Sequence, residues 1–151
     1  KGMGLLPMET VFQNLKTRTR VSGTFPKVEG ALSSLTGVKL EGYEIHMGES
    51  VLLEGAHPFT EITDHVQNTT KQDGAYCNNV YGSYVHGIFD KEAVAKNIVK
   101  AIGEEKGLDV SEMTGIDFAA FKETQYDKLA DGLRKHLDMK KIYEILEAGL
   151  E

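Results

Sequence analysis

The sequence predicts an α/β protein in which strands come first and helices last. Up to about Phe89 the chain alternates apolar and polar residues between turn signals, whereas from Asp90 onward it carries almost only helical periodicity. Its 151 residues amount to one domain or part of one. A hydrophobic share of 40%, a charged share of 26%, and 16 Gly against 3 Pro mark an ordinary globular composition, with no repeat, linker or low-complexity tract. The expected organisation is thus a single stretch, 1–151, strand-rich over 1–89 and helical over 90–151.

Thr17-Arg18-Thr19-Arg20-Val21 alternates β-branched and charged residues, which suits a strand with one solvent face, and Ser22-Gly23 punctuates it. Over 37–48 a second strand is predicted, with Tyr43, Ile45 and Met47 on one face and Glu44 and His46 on the other. The polar run 55–79, with His57-Pro58, Asn68-Thr69-Thr70, Asp73-Gly74 and Asn78-Asn79, reads as loop with one short strand at most. Val80 to Phe89 is aromatic and β-branched and reads as a strong strand whose two glycines suit close approach of another backbone or a ligand.

Asp90 suits the N-cap of a helix over 91–106, where Val94, Ile98 and Ile102 form an apolar stripe and Gly107 is the stop. A long surface helix is predicted from the N-cap Asp117, carrying Phe118, Phe121, Leu129, Leu133 and Leu137 on one side. Asp138 recaps the chain for a last short helix with Ile142, Ile145 and Leu146 inward, ending near Gly149.

Charge narrows the partners. Lys and Arg total 17 against 23 Asp and Glu, a net −6 with no basic run, so nucleic acid is not an expected partner. No apolar stretch approaches the ~18–20 residues of a membrane span, and the first residues lack the build of a signal peptide, so a cytoplasmic location is expected. The single cysteine, Cys77, excludes an internal disulfide, and no metal-ligand spacing accompanies it. Neither a Gly-x-x-x-x-Gly-Lys-Ser/Thr loop nor a Gly-x-Gly-x-x-Gly turn is present, so no cofactor is expected on this chain.

Four side chains invite chemistry. His86 closes the strand signal beside a glycine and before a helix, where ligands of open α/β sheets bind, and an imidazole there can take and return a proton near neutrality. The plainer reading is a buried histidine satisfied by backbone partners. Glu44 and His46 are either a carboxylate–imidazole pair lining a site or a solvated or interfacial strand face. Cys77 lacks the small neighbours of a nucleophile elbow and reads as a half-buried loop thiol. His57, His65 and His136 show no ligand spacing, and Asn68-Thr69-Thr70 matters as a glycan acceptor only in a secreted protein.

Several segments, in order, carry a family resemblance: Gly2-Met3-Gly4-Leu5-Leu6-Pro7-Met8-Glu9-Thr10-Val11-Phe12, Gly42-Tyr43-Glu44-Ile45-His46-Met47-Gly48, Gly82-Ser83-Tyr84-Val85-His86-Gly87-Ile88-Phe89-Asp90, Asp127-Lys128-Leu129-Ala130-Asp131 and His136-Leu137-Asp138. Together they resemble the C-terminal part of the glutamine amidotransferase domain of the cobyrinic/cobyric acid synthase type, with the cobyric acid synthases the nearer branch.

The resemblance implies a flavodoxin-like class I amidotransferase fold, N-terminally truncated, with C-terminal helices. It implies glutamine hydrolysis by a cysteine assisted by histidine, with ammonia passed to an ATP-dependent synthetase domain that amidates adenosylcobyrinic acid a,c-diamide on the cobalamin pathway. The family histidine falls on His86. The family nucleophile lies in a Gly-rich elbow upstream of Gly-Leu-Leu-Pro, so it is expected outside this chain, together with the synthetase domain and its ATP and Mg. Position 88 is Ile, where many class I relatives carry a glutamate. The chain by itself is therefore expected to be inactive, and its open sheet edge makes a homodimer of the fragment plausible. Glu44 or His46 is expected near the glutamine or on the face that receives the synthetase domain. The competing expectations are a glutaminase of cobyrinic acid a,c-diamide synthase, one that amidates a lipid-linked glutamate of the cell wall, or a non-catalytic interaction or regulatory domain.

Overall fold

A computed structural model describes residues 2–111 and 116–149, which fall into two compact units divided after Ile116. The first unit holds seven strands, β1 (Met8–Thr24), β2 (Lys39–Leu52), β3 (Thr60–Asp64), β4 (Thr70–Asp73), β5 (Ala75–Cys77), β6 (Val80–Gly82) and β7 (Val85–His86), followed by helix α1 (Glu92–Glu105). The second holds α2 (Phe118–His136) and α3 (Met139–Ala148). Strands and helices thus share the chain as an α/β protein requires.

Five strands form one sheet in the order β4-β3-β1-β2-β7, and β5 and β6 form a small ribbon of their own. Each described ladder is antiparallel. The β1–β2 pair is the longest, running from Thr24↔Lys39 to Met8↔Leu52 with a register shift between Phe12 and Thr17. One sheet face is buried. Val21, Leu40, Ile62 and Val85 meet Phe25, Leu35, Phe59, Tyr76, Ile88 and Val94 of α1 in a single core. A 3₁₀ turn at Gly30–Leu35 supplies Leu35 to that core and packs against α1.

The polar run 55–79, expected as loop with one short strand at most, instead supplies β3, β4 and β5. Its strands were concealed because each buries few side chains: in β3 only Thr60 and Ile62 are covered, and β4 buries Asp73 alone. The expected continuous strand from Val80 to Phe89 is broken into β6 and β7. Asp73 explains the break, since its Oδ2 accepts from Ser83 Oγ at 2.7 Å and from the Tyr84 amide at 3.3 Å, drawing those residues out of any ladder. Gly87, with φ +78°, then turns the chain toward α1.

Helix α1 is capped at Lys91, one residue later than expected, because Asp90 closes a turn onto the Gly87 carbonyl. Val94 is fully buried and Ile98 packs on the core, whereas Ile102 stays exposed. In the second unit the Asp117 carboxylate accepts from the Ala120 amide, and that of Asp138 accepts from the Lys141 amide. Neither helix contains a buried residue. Ile145 and Leu146, expected inward, are exposed, since a ten-residue amphipathic helix has too little company in this small unit to cover them. No described helix is long and apolar enough to cross a membrane.

Candidate functional site

Strand β7 is only two residues long, and its register sets the faces of the site. Tyr43 pairs with His86 and Glu44 with Val85. Partners across a ladder share a face and successive residues alternate, so His86 and Glu44 point to opposite sides of the sheet. Val85 is buried, whereas His86 is exposed beside the exposed Tyr43. The reading of His86 as a buried, backbone-satisfied histidine is therefore corrected. Its ring makes no hydrogen bond or ion pair among the described residues and faces open solvent.

A close approach of two backbones puts His86 there. At Gly42 a Cβ would collide with the carbonyl oxygen of His86 and with Val85 Cγ1, so only glycine lets β7 lie against β2 at this point. Across the other edge of β2, Gly42 pairs with Val21 of β1.

On the buried face the expected polarity of β2 is inverted. Glu44 is 2% exposed, while Tyr43 and Met47, on the face that pattern alone would turn inward, are 54% and 43% exposed. Burial of a carboxylate requires partners. Glu44 Oε1 accepts from Lys71 Nζ at 2.7 Å and pairs with His46 Nε2, and His46 Nδ1 donates to the Gly48 carbonyl at 2.6 Å. Both nitrogens of the His46 ring therefore face an oxygen partner within the protein. Glu44 is thus buried in a pair with part-buried His46, and the two are not a solvated strand face.

The His46 ring stacks on Tyr84, with centroids 4.6 Å apart and planes at 28°. The Tyr84 hydroxyl lies 2.8 Å from Ser50 Oγ and 3.3 Å from Thr10 Oγ1. Next to it, buried Asp73 accepts from Thr60 Oγ1, Ser83 Oγ and the Tyr84 amide. An open groove of about 890 Å³ runs over this cluster, lined by Gln13, Thr17, His46, Ser50, Lys71 and Tyr84 among others, and it does not include His86. The structure therefore places the sequence-selected pair Glu44 and His46 in one groove and His86 on the reverse face. Half-exposed Lys71 and buried Asp73 of β4, which complete the cluster, were not singled out from the sequence because their run looked like loop.

The remaining candidates lie apart. Cys77 is half-buried in β5, in a strand and not in the loop expected for it, and its sulfur accepts from the Asn78 side-chain amide at 3.6 Å. No described histidine bonds to it. His57 exchanges backbone hydrogen bonds with Tyr76, His65 Nε2 meets Ser22 Oγ at 2.8 Å, and His136 ends α2 exposed. Among the described residues no three His, Cys, Asp or Glu side chains gather where they could hold a metal ion.

The residues that build this geometry, from Gly42 to His86, fall inside a family match. The model of the CobB/CobQ-like glutamine amidotransferase domain matches residues 1–94, which include every element of the site. The chain belongs to that family. Its similarity to curated proteins extends over the whole chain. A cobyric acid synthase of Ruminiclostridium cellulolyticum is 46% identical over 100% of this chain and 30% of its own length. Those of Lachnoclostridium phytofermentans and Thermoanaerobacter sp. are 45% and 41% identical, over 99% and 97% of this chain and 31% and 30% of their own lengths. This chain thus spans about 30% of the length of the curated relatives it matches.

Proposed function

We propose that this chain is the histidine-bearing part of the glutaminase of a cobyric acid synthase, with His86 as its proton carrier. The observation that carries this reading is the contrast between two strand histidines: His46 is engaged at both ring nitrogens, whereas the exposed His86 ring has no hydrogen-bond partner among the described residues. Only an imidazole with a free lone pair can accept a proton.

In this role His86 takes the proton of a cysteine thiol supplied from outside these 151 residues. The sulfur bonds to the side-chain carbonyl carbon of glutamine, and the C–N bond then breaks as the imidazolium returns the proton to the leaving ammonia. Water, losing a proton to the same ring, opens the thioester to glutamate and the free thiol. Cys77 is not the nucleophile, because no described base bonds to it and it sits in a ribbon rather than an elbow. The antiparallel sheet of residues 8–86 is, on this proposal, one flank of a flavodoxin-like amidotransferase fold whose remaining strands belong to the rest of the relatives' length.

Ammonia would pass to an ATP-dependent synthetase part that amidates a corrinoid carboxylate. On this proposal ATP and Mg are held by that synthetase part, in keeping with a sequence that carries no Gly-x-x-x-x-Gly-Lys-Ser/Thr loop.

The test uses the complete amidotransferase that contains this chain. His86→Asn should lower glutamine-dependent amidation by about 10²–10⁴-fold while ammonia-dependent amidation persists. Equal loss of both, or of neither, overturns the assignment. The 151-residue chain alone should release no glutamate from glutamine.

A further inference from the structure

We infer that Tyr84 is the positioning residue of His86, holding the catalytic strand in place from the opposite side of the sheet. The inference rests on the reading of His86 as the proton carrier, but its structural half can be tested without it.

Strand β7 has little to hold it. Its ladder to β2 comprises two residue pairs, Tyr43↔His86 and Glu44↔Val85, and Gly87 turns the chain away at once. Val85 and Ile88 are anchored in the core on either side of His86. Ser83 ties the segment to Asp73 through its hydroxyl, and Tyr84 ties it to the sheet at three further points. Its ring lies flat on His46, its hydroxyl meets Ser50 and Thr10 of the paired strands β2 and β1, and its amide donates to Asp73.

What lies under the ring is itself fixed. His46 is oriented by Glu44 on one nitrogen and the Gly48 carbonyl on the other, and Glu44 is held by Lys71 of β4. A continuous strut therefore runs Lys71, Glu44, His46, Tyr84, and ends two residues from His86. Position 88, where a carboxylate could have oriented the imidazole directly, is a buried isoleucine. Orientation through the backbone replaces orientation through a side chain. The hydroxyl triad of Thr10, Ser50 and Tyr84 has no other use in the proposed reaction, since it lies on the face His86 does not share.

The test compares Tyr84→Phe, which keeps the ring and removes the hydroxyl, with Tyr84→Leu, which removes the stacking as well, and with Ser50→Ala. In the 151-residue protein, NMR follows the Tyr43–His86 cross-strand contact and the backbone order of His86, with the order of Val21 and Ile62 as an internal check of folding. Tyr84→Leu should weaken that contact at least about twofold and lower the order at His86 while the core is unchanged, and Tyr84→Phe and Ser50→Ala should show smaller effects in the same direction. In the complete amidotransferase, Tyr84→Leu should lower glutamine-dependent kcat about tenfold or more with little change in KM for glutamine or in the ammonia-dependent rate, and Tyr84→Phe should recover most of it. Should Tyr84→Leu not fold, Tyr84→Phe and Ser50→Ala decide. An unaltered Tyr43–His86 contact in every folded variant overturns the inference. Intact glutamine-dependent activity in His86→Asn overturns instead the underlying assignment, leaving the NMR result to judge Tyr84 alone.

Discussion

Glu44 shows how one residue can contradict its own pattern. Alternation in β2 places it opposite Tyr43, Ile45 and Met47, and an apolar-in rule would expose it; the structure buries it because Lys71 and His46 supply its carboxylate with partners on the inner face. Truncating one partner of a buried pair strands the others, so Glu44→Ala should cost about 3 kcal/mol, the low end of the usual range because Lys71 remains half exposed. Urea denaturation measures it, and a loss below about 1 kcal/mol would show that water replaces the carboxylate at little cost. Nothing local in Gly-Tyr-Glu-Ile-His-Met-Gly reveals this, since Lys71 stands 27 residues further along the chain. The partner of Glu44 is brought to it only by the folding of β4.

Among the elements, legibility follows how local the determining interaction is. Asp117 and Asp138 were readable as helix caps because each bonds an amide three residues ahead. The β3–β4 hairpin was not, because its strands are short and its turn is organised by Asp64. There the Gln67 amide foremost, then that of Val66, holds the carboxyl below the ordinary aspartate range. A depressed carboxyl stabilises the fold fully above its unfolded value, near pH 4, and that contribution disappears as pH falls through the lower folded value. Asp64→Asn should therefore be less stable at neutral pH yet lose less stability between about pH 4 and pH 2. Urea midpoints across that range check it, and parallel curves for both proteins would exclude the carboxylate's role. Likewise the Val80–Phe89 signal failed as one strand because Asp73, seven residues before it, captures Ser83 and Tyr84.

In the whole molecule the core belongs to the first unit. Ile62 is fully buried at the centre of β3, so Ile62→Ala should cost about 2–5 kcal/mol through lost burial and the cavity left behind. Leu146→Ala in exposed α3 should stay within about 0.5 kcal/mol. Chemical denaturation of the two variants distinguishes them, and equal losses would mean that α3 is covered in solution. Strand-then-helix order and the helices' positions were legible because periodicity and capping act over a few residues. The division of labour between two sheet faces was not, because it depends on which residue of β2 stands opposite His86, a matter of register that hydrophobic pattern does not specify.

Two ladder pairs bind β7 to the rest of the sheet, and of its two residues Val85 serves the core while exposed His86 does not. With His86 as the proposed proton carrier, replacing that ring would leave melting temperature, expression yield and circular dichroism almost untouched while disabling turnover. Surveys that score variants of such proteins by bulk stability would pass as healthy the very substitutions that silence them.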